Sequence, residues 1–304
     1  MMWLIVLAGI LCLAYGFYWV TFYNPEFRHG EPVLTKRSKF ARREAVLSRE
    51  LEQIPYEQVW ITSRDGLRLS GRYYHHRDGA PVHIQFHGYR GNASRDLSAV
   101  HHVVRSLGYN SLVVDQRAHG RSQGNTMTFG IQERWDCVSW AQYAYERFGA
   151  NTALFLYGIS MGGATVLMSA DLSLPKTVTG IIADCPYSSP LGIICKICRD
   201  VHIPTAVAAP MEILAACIFG KFWLTASSAV DAVRHAKVPV LLIHGNEDKY
   251  ILPEMSRQIQ EACASECYLE LFPGAAHAGS CLTDTVRYQM VMDLFVKNCL
   301  NEKN

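Results

Sequence analysis

The stretch that most constrains this chain is Leu154-Phe-Leu-Tyr-Gly-Ile-Ser160-Met-Gly-Gly-Ala-Thr-Val-Leu-Met168. An apolar run rich in strand formers meets Gly158-Ile159-Ser160-Met161-Gly162, and small and apolar residues continue beyond it at helical spacing. This is Gly-x-Ser-x-Gly between a strand and a helix. A serine at the apex of so tight a turn takes a strained backbone conformation. Its neighbours two positions either side lack side chains, which lets strand and helix approach closely. The hydroxyl then projects beyond the sheet edge, with a helix N-terminus behind it that favours negative charge. Five common residues also fit an ordinary strand-to-helix turn, so the rest of the chain has to decide.

From Tyr56 the pattern has period two. Glu57–Ser63, the turn Arg64-Asp65-Gly66 and Leu67–Tyr74 read as an antiparallel hairpin, and Val82–Phe86 as a third strand. Strands and helices then alternate. A helix over 94–107 leads to strand 111–115, a helix over 131–148 to strand 153–157, and the Ser160 helix to strand 180–183. Strand 238–243, a helix over 253–264, strand 268–272 and a terminal helix from Leu282 follow. Alternation with continuous apolar strands predicts an α/β chain with a mostly parallel sheet covered on both faces. Ligands then belong at the carboxyl ends of the strands. The segment over 187–225 breaks the rhythm: it is apolar, carries Pro190, Pro204 and Pro210, and reads as a short helical cap over that edge.

At 304 residues the chain can bury a sizeable core. A formal charge of +2 implies no polyanionic partner, which argues against nucleic acid. The 10 cysteines are scattered, and Cys195-x-x-Cys198 lies in an apolar stretch with no further ligands at metal-site spacing, so it reads as packing. Many unpaired cysteines suit a reducing compartment.

Residues 3–23 contain no charged side chain. As a helix they reach about 31 Å, enough to cross a bilayer core. A cleaved signal peptide wants basic residues ahead of the apolar run and small residues at its end. Here the run ends in Phe17-Tyr-Trp-Val-Thr-Phe-Tyr23, an interfacial aromatic belt. Arg28, Lys36, Arg37, Lys39, Arg42, Arg43 and Arg49 follow, outnumbering Glu26, Glu31 and Glu44. The positive-inside rule keeps this flank cytoplasmic. The expected organisation is a single-pass anchor over 1–25, a basic linker over 26–54, and the α/β domain over 55–304, with the cap inserted near 187–225, lying in the cytoplasm. Residues 35–53 fit either an amphipathic helix on anionic headgroups or a solvated linker helix.

Further clusters fall where the sheet order places them. Phe86-His87-Gly88-Tyr89-Arg90-Gly91-Asn92 follows the third strand, and such a loop aims backbone N–H groups into a site; the Tyr89 and Met161 amides are the candidate oxyanion donors. His244-Gly-Asn-Glu-Asp248 follows strand 238–243, and Pro273-Gly-Ala-Ala-His277 follows the last strand. A serine hydroxyl needs a neutral imidazole to take its proton, which makes His277 the candidate base for Ser160. An acid then fixes the tautomer of that imidazole, with Asp248 and Glu247 as adjacent candidates. His87 reads as a structural hydrogen-bonder, and His75, His76, His83, His101, His102, His202 and His235 as surface or packing residues.

These motifs resemble the α/β-hydrolase superfamily over roughly residues 55–300. Within it, Asp115-Gln-Arg-Ala-His-Gly-Arg-Ser122 is similar to a loop of membrane-anchored bacterial serine hydrolases of unassigned substrate and of ABHD-type hydrolases. The resemblance implies an α/β-hydrolase fold, Asp248 rather than Glu247 as the acid, and a loop at Arg117 and His119 that shapes the floor of the site. Arg117 is expected to pair with a carboxylate such as Glu133 or Asp136. The expected activity is hydrolysis of a carboxylic ester or thioester through an acyl-enzyme, on a lipophilic substrate, with no metal or organic cofactor. An aminopeptidase-type serine peptidase is the first alternative; its amine would need Asp200 or Glu212, the acids of the cap. A non-catalytic binding module on the same fold is the second.

Overall fold

The computed structural model describes residues 2–25 and 40–301. The chain opens with helix α1 (Met2–Thr21), then α2 (Ala41–Gln53), strands β1 (Glu57–Thr62), β2 (Arg68–Tyr74) and β3 (Val82–Phe86), and helices α3 (Ala93–Asp96) and α4 (Ser98–Ser106). It continues through β4 (Asn110–Val114), α5 (Glu133–Phe148), β5 (Leu154–Ile159), α6 (Met161–Met168) and β6 (Val178–Asp184). The cap helices α7 (Pro190–Asp200) and α8 (Thr205–Ile218) precede α9 (Ala229–Val233), β7 (Val240–Gly245), α10 (Pro253–Ala262) and β8 (Cys267–Phe272). Helices α11 (Ser280–Thr283) and α12 (Thr285–Asn301) close it.

The eight strands among the described residues join one sheet in the order β1-β2-β4-β3-β5-β6-β7-β8. The hairpin pairs antiparallel, with Glu57 opposite Tyr73, and β2 meets β4 antiparallel; every later pairing is parallel. This is the α/β-hydrolase arrangement the sequence predicts. β3, β4, β5, β6 and β7 are buried along their whole length; β5 and β7 read as near-continuous apolar runs, whereas β3 alternates apolar and polar residues and buries His83 and Gln85 as well. One apolar layer, centred on Trp140, Leu156 and Val166, fills one face; another, with Val104, Phe155, Tyr288 and Phe295, fills the other. Two of the helices are broken where their sequence patterns run on. The helix over 94–107 is interrupted at Leu97, and the terminal helix is preceded by the separate turn α11, with Asp284 extended at φ −143° between them.

The histidines sort by environment. His83 is stacked between Tyr109 and Phe155 at 5.4 and 5.2 Å, and burial pushes its pKa down to about 3. His101 is likewise buried, whereas His75, His76, His102, His202 and His235 are exposed. All ten cysteines are free, and Cys195 and Cys198 are buried on α7, as packing residues should be.

Helix α1 is long and apolar enough to cross a membrane by length and composition. Its first half projects from the body, but Ala14, Tyr18 and, just past its end, Phe22 are buried. Of the basic flank, Arg28, Lys36, Arg37 and Lys39 lie outside the described residues. The rest falls on or beside α2, which lies on α3 and α4; Leu51 is buried there and Arg43 donates to the Leu282 carbonyl.

Candidate active site

The turn after β5 has the geometry its glycines require. Ser160 sits at φ 56°, ψ −116°, a conformation that costs on the order of 1–3 kcal/mol and needs surrounding structure to hold it. A Cβ on Gly158 would stand 2.1 Å from the Gly162 carbonyl oxygen, and one on Gly162 would stand 2.1 Å from that of Phe86. Neither position has room for a methyl group. The Ser160 amide donates to the Asp184 carbonyl at 2.8 Å, tying the turn to the end of β6.

The loops after β7 and β8 are fastened to each other before they reach the serine. Asn246 N–H donates to Phe272 O and Glu247 N–H to Ala275 O, both at 2.9 Å. This brings His277 between two partners: Nδ1 lies 2.7 Å from Asp248 Oδ2, and Nε2 lies 3.1 Å from Ser160 Oγ. With the Nδ1 proton donated to the carboxylate, Nε2 keeps its lone pair for the serine hydroxyl. Of the two adjacent acids, Glu247 is exposed, while Asp248 is buried and is the one that meets His277.

Asp248 accepts the Tyr250 and Ile251 amides on Oδ1 at 2.8 and 2.9 Å. Burial alone would raise its pKa, but the His244 and His277 rings and the Ile251 amide hold it well below the usual carboxylate range. His244 is a residue the sequence did not single out. Its Nδ1 meets Ser256 Oγ at 2.7 Å, its Nε2 meets Ile251 O at 2.9 Å, and the same Nε2 stands 3.5 Å from Asp248 Oδ2. It fixes the turn that carries the acid. Its place at the start of the Asp248 loop was the available signal, but a histidine ending a strand has many other uses. Asp184 was also missed. Burial pushes it up to about 6, against the Tyr288 hydroxyl donating at 2.9 Å.

The loop after β3 supplies the other side. Gly88 N–H donates to Asp96 at 3.1 Å, while, among the described residues, neither the Tyr89 nor the Met161 amide donates to a protein acceptor. His87 is the structural hydrogen-bonder expected, with Nδ1 at 2.8 Å from Gly88 O and Nε2 at 3.1 Å from the Gln116 amide. Arg117 pairs with Asp136 at 2.6 Å and with Asp65 of the hairpin turn at 2.9 Å. Glu133 is engaged instead by the Thr128 and Gly130 amides. His119 accepts the Arg90 amide at 3.1 Å, so this loop supports the Tyr89 loop from beneath.

The Tyr89 loop also grips the N-terminal helix. Tyr89 Oη donates to Thr21 O at 2.8 Å, and the Arg90 guanidinium donates to Val20 O at 2.7 Å, satisfying carbonyls that a helix end leaves open. Of the two cap acids, Asp200 is held by Lys196 at 2.5 Å. Glu212 is buried and accepts the Thr21 hydroxyl at 2.8 Å, and burial pushes it up to about 7.

The side chains of Cys185, Asp248 and His277 place possible ligand atoms within 4.8 Å of one another. Asp248 and His277 are already engaged with each other, and burial holds the Cys185 thiol protonated, which makes it a poor ligand. The set fits a hydrogen-bonded relay better than a cation.

The serine aminopeptidase S33 family matches residues 80–202 and 212–280, more than half of the chain. The chain belongs to this family of α/β-hydrolases. It is 24% identical over 248 residues to the uncharacterized protein YqkD of Bacillus subtilis, covering 81% of each. It is 23% identical over 261 residues to the α/β-hydrolase domain-containing protein WAV2 of Arabidopsis thaliana, covering 82% of this chain and 80% of that one. Among solved structures, an esterase of Pyrococcus furiosus superposes with a TM-score of 0.66 at 21% identity, over 82% of this chain and 93% of its own. At that identity the likeness concerns the fold. Together these findings make the chain a hydrolase.

Proposed function

We propose that this hydrolase cleaves a carboxylic ester or thioester through an acyl-enzyme, with Ser160 as nucleophile, His277 as general base and acid, and Asp248 as the group that orients and stabilises the imidazolium. The observation that carries the reading is the unbroken Ser160–His277–Asp248 line beside two undonated amides. Attack of Ser160 Oγ on the acyl carbon passes its proton to His277 Nε2. The Tyr89 and Met161 N–H groups receive the oxyanion, and His277 returns the proton to the leaving alcohol or thiol. Water then repeats the sequence on the acyl-serine. No step requires a metal.

The peptidase alternative needs a free carboxylate for the substrate amine. Asp200 is committed to Lys196, and Glu212 is buried against Thr21, which favours the ester reading. We read α1 as a retained single-pass anchor with the catalytic body on the cytoplasmic side. The burial of Tyr18 and Phe22 supports retention, because a cleaved segment would take part of the core with it. An anchor beside an apolar cap favours a lipophilic substrate. The test is an acyl chain-length series of esters and thioesters, run beside amide and aminoacyl analogues. Esters of longer chains are expected to turn over fastest and aminoacyl amides slowest; preferential release of an N-terminal amino acid would replace the ester reading with the peptidase one.

A further inference from the structure

Helix α1 has 20 residues, so at 1.5 Å per residue it is about 30 Å long, the thickness of a bilayer's hydrocarbon core. No length is spare. Yet its last two turns are packed against the cap. The Tyr15 and Tyr18 rings stand 5.2 and 6.0 Å from that of Phe219, which follows α8. Thr21 meets Glu212, seven positions earlier in the chain than Phe219. Helix α8 therefore runs antiparallel to α1, rising from the level of Thr21 to that of Tyr15. The chain then descends again, and the Phe222 ring packs 5.3 Å from Phe22. Tyr15 lies six residues before Thr21, about 9 Å along the axis. A bilayer that covers all of α1 must also take in Phe219.

The surface of the cap points the same way independently. A helix facing water normally shows polar residues outward. The exposed positions of α8 are instead Ala206, Val207, Pro210, Cys217 and Ile218, and its one charged side chain, Glu212, is turned inward to α1. Beyond it, Ile218 is 44% and Trp223 55% exposed, with exposed Lys221 between them. An apolar tip carrying a tryptophan and one lysine has the composition of a segment at the headgroup boundary, where the ring sits at the interface and the ammonium reaches the phosphates.

We propose that the cap tip, residues 217–223, is embedded in the lipid bilayer at headgroup and upper acyl depth beside α1, giving the protein a second membrane contact. The proposal rests on the reading of α1 as an anchor. Because Thr21 also accepts the Tyr89 hydroxyl, the loop beside Ser160 lies at the level where α1 ends. An ester whose acyl chain stays in the leaflet then presents its carbonyl at the height of the serine.

The test uses the full chain in phosphatidylcholine–phosphatidylserine vesicles. Tryptophan emission of the wild type minus that of Trp223→Phe isolates Trp223. Phospholipids brominated high on the acyl chain should quench this difference at least twofold, and aqueous iodide should leave it nearly unchanged. Ile218→Asp should lower the ratio of vesicle-embedded to water-soluble ester hydrolysis at least tenfold, while Val286→Asp, exposed on α12, leaves the ratio unchanged. A chain that floats with the vesicles after carbonate washing but whose Trp223 is quenched by iodide alone overturns the proposal and leaves the anchor. A chain that does not float removes the anchor reading and the proposal with it. Equal loss on both esters for Ile218→Asp also overturns it, showing a damaged cap rather than a lost lipid contact.

Discussion

Two buried carboxylates, Asp248 at the carboxyl edge of the sheet and Glu212 in the seam between α1 and the cap, are nearly equally removed from water. They end in opposite states. Asp248 faces two backbone amides and two imidazoles, and its pKa lies well below the ordinary range. Glu212 has one hydroxyl donor, its other oxygen finds no partner among the described residues, and burial pushes it up to about 7. Burial favours the neutral acid, and only enough aimed donors reverse that. The sheet edge is built to keep a charge in place; the seam is held mainly by aromatic rings, and its burial favours the neutral form of the acid.

The comparison is broken most severely at the edge. Ser160→Ala and His277→Ala should each lower turnover by about 10⁶-fold and abolish covalent labelling by a fluorophosphonate, with circular dichroism unchanged. Normal labelling of the Ser160→Ala protein would remove the nucleophile assignment. Asp248→Asn should cost up to about 10⁴-fold through the wrong imidazole tautomer, while Glu247→Gln stays within a few-fold of wild type. Reversed effects would move the acid by one position.

The seam should answer in stability. Phe22 is fully buried between the Phe129 and Phe222 rings, at 5.8 and 5.3 Å. Phe22→Ala should therefore destabilise the detergent-solubilised protein by about 3–5 kcal/mol in urea unfolding. A loss below about 1 kcal/mol would mean that the N-terminal segment is appended to the fold rather than built into it.

The smallest effect concerns pH. A group whose folded pKa is raised contributes stability below its unfolded value, and that contribution is lost as pH rises through the folded value. For Glu212 the window runs from 4.5 to about 7. Across it the wild type should lose up to about 3 kcal/mol relative to Glu212→Gln. Parallel stability curves for the two proteins would show that Glu212 is ionised like Asp248, and the contrast between the regions would collapse.

The edge was legible in the sequence for a physical reason. β5 and β7 are near-continuous apolar runs, and Ser160, Asp248 and His277 sit on the short loops directly after β5, β7 and β8, so chain order alone places them together. The preference for Asp248 over Glu247 comes from resemblance alone, because two adjacent acids on one loop differ in nothing that spacing can read; in the fold Asp248 is buried against His277 and Glu247 is exposed. The pairing of Arg117 was anticipated, but its second partner, Asp65, was not, because 52 residues separate them. The seam was legible only as two apolar segments. Nothing periodic links Thr21 to Glu212 or Tyr89 to Thr21, contacts that span 191 and 68 residues. His244 was hidden differently: its partners Ser256 and Ile251 lie in a loop and helix whose path cannot be inferred from spacing.

The grip of Tyr89 and Arg90 on the end of α1 bears on how the protein can be handled. Shortening the chain to begin after residue 24 is the obvious way to remove its apolar first helix. Here it would take away the carbonyls of Val20 and Thr21, and with them the acceptors of the Tyr89 hydroxyl and the Arg90 guanidinium. It would also empty the socket that Phe22 fills, leaving Phe129 and Phe222 facing solvent. Such a sample would carry an unbraced loop next to Ser160 and a sticky hole beside the cap. Weak activity measured on it would describe the shortened chain and not the enzyme.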